Sequence, residues 1–250
     1  METYAVFLDI DGTLTCDNTI PRQNVQAIKR ARQSGHYVFY NTGRSYGFIP
    51  QFCKAALELD GFVAGIGSHV VCSGTELKKE RLSYDEILSV TERFLPTGRF
   101  VIFEGENESV AFGPERGDPN THMIKSVQEL KKYENLPLTK GYITGVLNES
   151  EQNWFKSRYN FFQHENYCEY ALKGCSKSSG MELILNYLGI PKERCIAMGD
   201  SINDADMLAF AGISVAMENA CESIKDICSM ITASNADAGV AKALYSILDI

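Results

Sequence analysis

The apolar run Tyr4-Ala5-Val6-Phe7-Leu8 ends in two aspartates, Asp9 and Asp11, with Gly12, Thr13 and Leu14 close behind. Such a run reads as a buried strand, and side chains along a strand alternate with period two. The two carboxylates therefore leave the strand end on the same side, with Ile10 turned away. Held together, they repel and call for a cation or a shared proton. Gly12 lets the backbone turn sharply and bare its amide groups. The combination suits a magnesium ion, a phosphate and a carboxylate nucleophile. Taken alone, the segment also fits a solvated turn at a strand end.

Beyond Leu14 the chain favours an α/β fold. Residues 21–34 read as a helix with Pro21 at its start and Gly35 at its end. Residues 37–40 form a second buried strand running into Asn41-Thr42-Gly43-Arg44, and a helix is expected over about 47–59. Short strands are expected at 61–64 and 69–72. The same rhythm returns late in the chain. Helices are expected at 178–188, 203–211, 221–227 and 240–248, and strands at 195–198, 213–216 and 229–232. Strands separated by helices imply right-handed crossovers and a mostly parallel, Rossmann-like sheet flanked by helices.

The middle has another texture. Phe100–Phe103 and Ser109–Phe112 flank Glu104-Gly105-Glu106-Asn107 and predict a hairpin. Helical spacing runs over 123–133 and around 150–156, with strands at 142–146 and 159–162. Phe100, Phe103, Trp154, Phe161 and Phe162 read as core of this segment, the alternative being a platform for substrate. We therefore expect a core domain made of residues 1–82 and 172–250, with an inserted α+β cap domain over 83–171.

Composition narrows the function. The chain has 250 residues, 44% of them apolar and 22% charged, with a net charge of −8. That charge argues against nucleic acid or an anionic membrane surface as partner, and no protein partner is predicted. A bound cation can still reverse the local field for an anionic substrate. No stretch approaches the ~20 apolar residues of a membrane span. The first residues lack a basic lead-in, so a cytoplasmic protein is expected. The eight cysteines form no CxxC and read as small buried hydrophobes in a reducing compartment. The four histidines show no zinc spacing.

Four segments adjoin the carboxyl end of a core strand or the start of a helix, the edge where open parallel sheets bind ligands. They are Asp9–Thr13, then Asn41–Arg44, then Lys173-Gly174-Cys175-Ser176-Lys177-Ser178, then Gly199-Asp200-Ser201-Ile202-Asn203-Asp204. Together they supply a carboxylate nucleophile, hydroxyl and amide donors for phosphoryl oxygens, a lysine, and oxygen ligands for Mg2+. Phosphoryl transfer needs little else, since positioning and electrostatics dominate it.

These segments resemble the four motifs of the haloacid dehalogenase superfamily of phosphohydrolases. Asp9-Ile10-Asp11-Gly12-Thr13-Leu14 matches its DxDGT(L) signature, Thr42 the second motif, Lys177 the third and Asp200 to Asp204 the GDxxND form of the fourth. The long insertion after the second motif is similar to the Cof-type subfamily with its large α/β cap. So are Val215-Ala216-Met217-Glu218-Asn219-Ala220 and Asp237-Ala238-Gly239-Val240-Ala241.

The resemblance implies roles. Asp9 would attack phosphorus and become an aspartyl-phosphate. Asp11 would protonate the leaving oxygen and then deprotonate the hydrolytic water. Mg2+ would be held by the Asp9 carboxylate, the Asp11 backbone carbonyl and Asp200. Thr42, Gly43 and Lys177 would bind the phosphoryl group with Asn203 nearby, and Asp204 would orient Lys177 or the metal waters. Lys173 is the alternative bearer of the positive charge, and Arg44 fits either a phosphate contact or a surface ion pair. The expected activity is Mg2+-dependent hydrolysis of small phosphomonoesters, such as sugar phosphates or phosphorylated cofactors. The alternatives are a phosphomutase acting on sugar phosphates and a phosphate-accepting regulator.

Overall fold

The computed structural model describes residues 2–114 and 119–250. The chain divides into two compact units, one of Met1–Gly43, Ile49–Lys78 and Ser176–Ile250, the other of Arg44–Phe48 and Lys79–Cys175.

The first unit is built on an eight-stranded sheet. Its strand order is Met230–Ile231, Ile213–Ala216, Cys195–Gly199, Ala5–Leu8, Tyr37–Asn41, Gly61–Ala64, His69–Cys72, Thr75–Lys79. The strands pair in parallel from Met230–Ile231 through Gly61–Ala64, and His69–Cys72 then pairs antiparallel with Gly61–Ala64. Ala5–Leu8 is buried throughout, as its uninterrupted apolar sequence requires of a strand covered on both faces. The Phe7 ring stacks on that of Phe39, 5.1 Å between centroids. The helix Lys177–Leu188 is held at its start by a capping box, in which the Ser176 hydroxyl accepts from Ser179 N. It ends at Gly189, whose φ of +66° closes the last turn.

Register places the site. Leu8 lies opposite Tyr40 on one side and Met198 on the other. The residues that come next after these three, Asp9, Asn41-Thr42 and Gly199-Asp200, therefore leave the sheet at the same level.

The second unit is a six-stranded sheet ordered Tyr159–Gln163, Tyr167–Leu172, Leu138–Thr144, Val101–Gly105, Ser109–Phe112, Thr121–Met123. Every described pair is antiparallel except the last, which is parallel. The helices Tyr84–Phe94 and Glu149–Arg158 pack on one face around Phe94, Phe103, Phe112, Phe155 and Tyr170. Both helices begin with full capping boxes, at Ser83 and at Asn148. Gly141 lets the Tyr170 ring lie against the backbone, where a Cβ would come within 2.2 Å of it.

Several expected elements differ. The helix over 47–59 is confined to Gln51–Ala56, because Pro50 cannot donate to a preceding turn. Met123, expected in a helix, instead ends a strand paired with Ala111; the helical part is Val127–Leu130, continued by a 3-10 turn over Lys131–Tyr133. The strand expected at 142–146 runs over Leu138–Thr144 and stops at Gly145, which has φ +90°. The helix Tyr84–Phe94 and the strands Thr75–Lys79 and Tyr167–Leu172 add to the expected elements. None of the eight cysteines forms a disulfide. Among the described residues, no helix is long and apolar enough to cross a membrane.

Candidate active site

Four of the expected residues converge where the central strands end. Lys177, at the first turn of its helix and 1% exposed, donates from Nζ to Asp9 Oδ1 at 2.7 Å and to Asp204 Oδ1 at 2.5 Å. Asp9, Asp200 and Asp204 each present a carboxylate oxygen within 4.8 Å of the others. Lys173, the rival for the lysine role, is absent from this cluster.

Local sequence explains how the acids are held. Gly199 leaves room for Asp204, whose side chain would lie 2.7 Å from a Cβ there. Asp204 Oδ2 accepts from the backbone N–H groups of Asp200 and Ser201, both at 3.0 Å. With Lys177 on its other oxygen, Asp204 is committed to holding the lysine and the loop. Asp200 Oδ1 accepts from Thr13 Oγ1 at 2.8 Å. Asp9 Oδ1 belongs to Lys177, so the second oxygens of Asp9 and Asp200 carry no described hydrogen bond.

The charges do not balance. Three carboxylates face one ammonium, leaving two negative charges in a buried place. Burial, then Asp204 and Asp200, push the Asp9 pKa well up, against the pull of Lys177. Burial and Asp204 raise Asp200 to about 6, although Thr13 and Lys177 oppose the shift. For Lys177, burial works against the charge, but Asp204 and Asp9 outweigh it and the pKa rises. A hard divalent cation on Asp9 and Asp200 would supply the missing charge, and an all-oxygen donor set is what Mg2+ prefers.

Asp11 is exposed and lies outside the acid triad, so its carboxylate does not join Asp9, Asp200 and Asp204. Thr42 and Gly43 are buried, and Thr42 N donates to Val63 O at 2.9 Å. Asn203 Oδ1 accepts from Ser201 Oγ at 2.6 Å. Arg44 belongs to the second unit, where its guanidinium donates to Phe48 O at 3.2 Å.

Sequence reasoning missed three supports. The first is Thr13, which fixes Asp200. The others are a pair of asparagines. Asn219 Nδ2 donates to Gly12 O at 2.8 Å, and Asn235 N donates to Asn219 Oδ1 at 2.9 Å. Asn235 Nδ2 in turn donates to Thr15 O at 2.8 Å. These two asparagines pin the loop after Asp11 from more than 200 positions away, a link no local pattern reveals.

The family model described as haloacid dehalogenase-like hydrolase matches residues 6–244. The 5-amino-6-(5-phospho-D-ribitylamino)uracil phosphatase YitU of Bacillus subtilis is 29% identical, covering 98% of each chain. YcsE of the same organism, named for the same activity, is 27% identical over 96% of this chain and 93% of its own. Among solved structures, the subclass IIB sugar phosphatase BT4131 shares the fold with a TM-score of 0.85 at 23% identity, over 99% of this chain and 100% of its own. The chain belongs to the haloacid dehalogenase-like hydrolases and is a phosphatase of that family.

Proposed function

We propose that the chain is a Mg2+-dependent phosphatase that hydrolyses small phosphomonoesters through a phosphorylated Asp9. The observation that carries this reading is the buried Asp9–Lys177–Asp204 chain beside Asp200, with two negative charges left over for a divalent cation. YitU and YcsE are named for a phosphorylated ribitylaminouracil, and BT4131 for sugar phosphates. What these names share is a small phosphomonoester. We assign catalysis to the first unit and substrate discrimination to the second.

In the proposed reaction Asp9 attacks phosphorus, the bond to the leaving oxygen breaks, and Asp11 delivers its proton to that oxygen. Asp11 then takes a proton from a water molecule as the water oxygen attacks the phosphorylated Asp9. Inorganic phosphate leaves, and both carboxyl groups return to their starting states. Asp11 is left for proton exchange because its carboxylate is not among the three acids clustered at the cation site. Lys177, Thr42 and Gly43 hold the phosphoryl oxygens with Asn203 beside them, and Asp204 keeps Lys177 aimed at Asp9. Mg2+, held by Asp9, Asp200 and the Asp11 carbonyl, would keep Asp9 ionised and offset the substrate's charge.

The test is phosphate release from a panel of phosphomonoesters with Mg2+ and with chelator. Asp9→Asn is expected to abolish turnover with folding intact, and Asp11→Asn to cost roughly 10²–10⁴-fold. Release at the native rate by Asp9→Asn protein would remove the nucleophile assignment.

A further inference from the structure

The turn that joins Gly61–Ala64 to His69–Cys72 gives no side chain to the acid cluster, yet its backbone is held in a costly shape. Gly65, Ile66 and Gly67 have φ of +58°, +58° and +80°. Glycine adopts such values freely. A β-branched residue there is an outlier, because its Cβ crowds the backbone. Ile66 nonetheless occupies the middle of the turn and is 1% exposed. Strain of this kind persists only where the surroundings enforce it, and it collects at sites whose geometry serves a task.

Two functional segments press on this turn. The first is the loop of Thr42. Its N donates to Val63 O at 2.9 Å, and its O accepts from Ile66 N at 3.4 Å. Strand end and turn thus engage both backbone polar groups of Thr42. The second is the helix of Lys177. A Cβ on Gly67 would lie 2.0 Å from Ser176 O, and a Cβ on Gly180 would lie 2.4 Å from Val63 Cγ1.

Positions 176 and 180 lie on one helix face, and Lys177 directly follows the first of them. Ser176 O also opens the helix, accepting from Gly180 N at 3.2 Å and from Ser179 Oγ at 3.0 Å. Displacing that carbonyl would therefore tilt the turn that aims Lys177 at Asp9.

We propose that the turn over 65–68 is a positioning element for the phosphoryl group. Locked in its left-handed shape by Ile66, it sets Thr42 and the first turn of the Lys177 helix at one fixed separation. Ile66 and Gly67 are positioning residues that act through Thr42 and Lys177. The proposal deepens the phosphatase reading and rests on it for the roles of those two residues.

Gly74 supplies the control. Its φ of +78° is close to that of Gly67, but a Cβ there would meet nothing within 4 Å. Gly67→Ala and Gly74→Ala thus impose much the same backbone strain, and only the first displaces Ser176.

The experiment compares full-length parent and variants, each checked for folding by circular dichroism. One measurement is kcat for p-nitrophenyl phosphate in saturating Mg2+, and the other is calorimetric binding of orthophosphate with Mg2+. Gly67→Ala is expected to lose ~10–100-fold in kcat and to bind orthophosphate more weakly. Gly74→Ala should keep the parent's values. Ile66→Gly, which frees the turn without a clash, should also lower kcat, and Ile66→Val, which keeps the branched side chain, should restore it. This second pair decides the matter if Gly67→Ala fails to fold.

Equal kcat and equal orthophosphate binding in Gly67→Ala and Gly74→Ala overturn the proposal, as does full kcat in Ile66→Gly. Orthophosphate binding that Gly67→Ala weakens, in a parent that hydrolyses no ester, keeps the positioning turn and removes the phosphatase reading. Ester hydrolysis that survives Gly67→Ala undiminished does the reverse. A parent that neither binds orthophosphate nor hydrolyses an ester removes both.

Discussion

Gly12 and Asp200 meet with no room for a side chain on the glycine: a Cβ there would lie 2.4 Å from Asp200 Oδ2. Gly12 also has a φ of +81°, where any other residue is strained. Gly12→Ala is therefore expected to push Asp200 off its bond to Thr13. Calorimetry should show Mg2+ affinity reduced ~10–100-fold with the circular dichroism spectrum unchanged. Unchanged affinity would mean that the loop yields without disturbing the acid.

Lys177→Met removes the ammonium that pairs with Asp9 and Asp204. Breaking a buried ion pair this way costs about 3–5 kcal/mol. Because the remaining charge is more negative still, Mg2+ should recover part of that loss. Denaturant unfolding of the variant with and without Mg2+ checks both statements. A metal-free variant as stable as the parent would contradict the buried pairing.

His36 ties stability to pH. Burial lowers its pKa from the ordinary 6.5, and its Nδ1 accepts from Tyr4 N at 3.2 Å. Protonation would end that bond, and Nε2 has no partner among the described residues. The folded chain thus resists a proton that the unfolded chain takes up. The His36 contribution is complete above its unfolded pKa and is lost as pH falls through the folded one. Melting temperatures in saturating Mg2+ at about pH 7.5 and about pH 5.5 should converge more closely for His36→Asn than for the parent. An equal drop in both would remove His36 from the account.

Asn219→Ala cuts the link from Asn235 to the Gly12 carbonyl. Loss of one such hydrogen bond is worth roughly 0.5–1.5 kcal/mol. If that loss falls on the positioning of the loop, kcat/KM for p-nitrophenyl phosphate should drop about 3–10-fold. Global stability should change little, since Asn219 is exposed. Steady-state kinetics on the refolded variant decides it, and a full-rate variant would make the clamp dispensable.

The central strands and the acid loops are legible in the sequence because each announces itself locally. Val6-Phe7-Leu8 can only be buried, and Asp9 and Asp200 come directly after strands whose register then aligns them. Lys177 is legible because Ser176 caps the helix that carries it. The helix Tyr84–Phe94 also carries a signal, the Ser83-to-Glu86 capping box. Thr13, Asn219 and Asn235 are hidden for another reason. Their roles are single hydrogen bonds to partners far along the chain, and such pairings leave no periodic trace. Phe100 shows the remaining limit: composition marks an aromatic as buried, but only the strand register decides which face it serves, and it turns Phe100 away from Val101 and Phe103.

The strand that carries the nucleophile lies between Tyr37–Asn41 and Cys195–Gly199, and its loop is fastened by Asn219 and Asn235. During synthesis this strand appears long before its second neighbour, Cys195–Gly199, exists. Until then a hydrophobic ribbon with one open edge, tipped by acids, is exposed to whatever can pair with it. Catalytic competence is therefore among the last properties a newborn chain acquires, and release of partial products from the ribosome would yield inert, adhesive fragments.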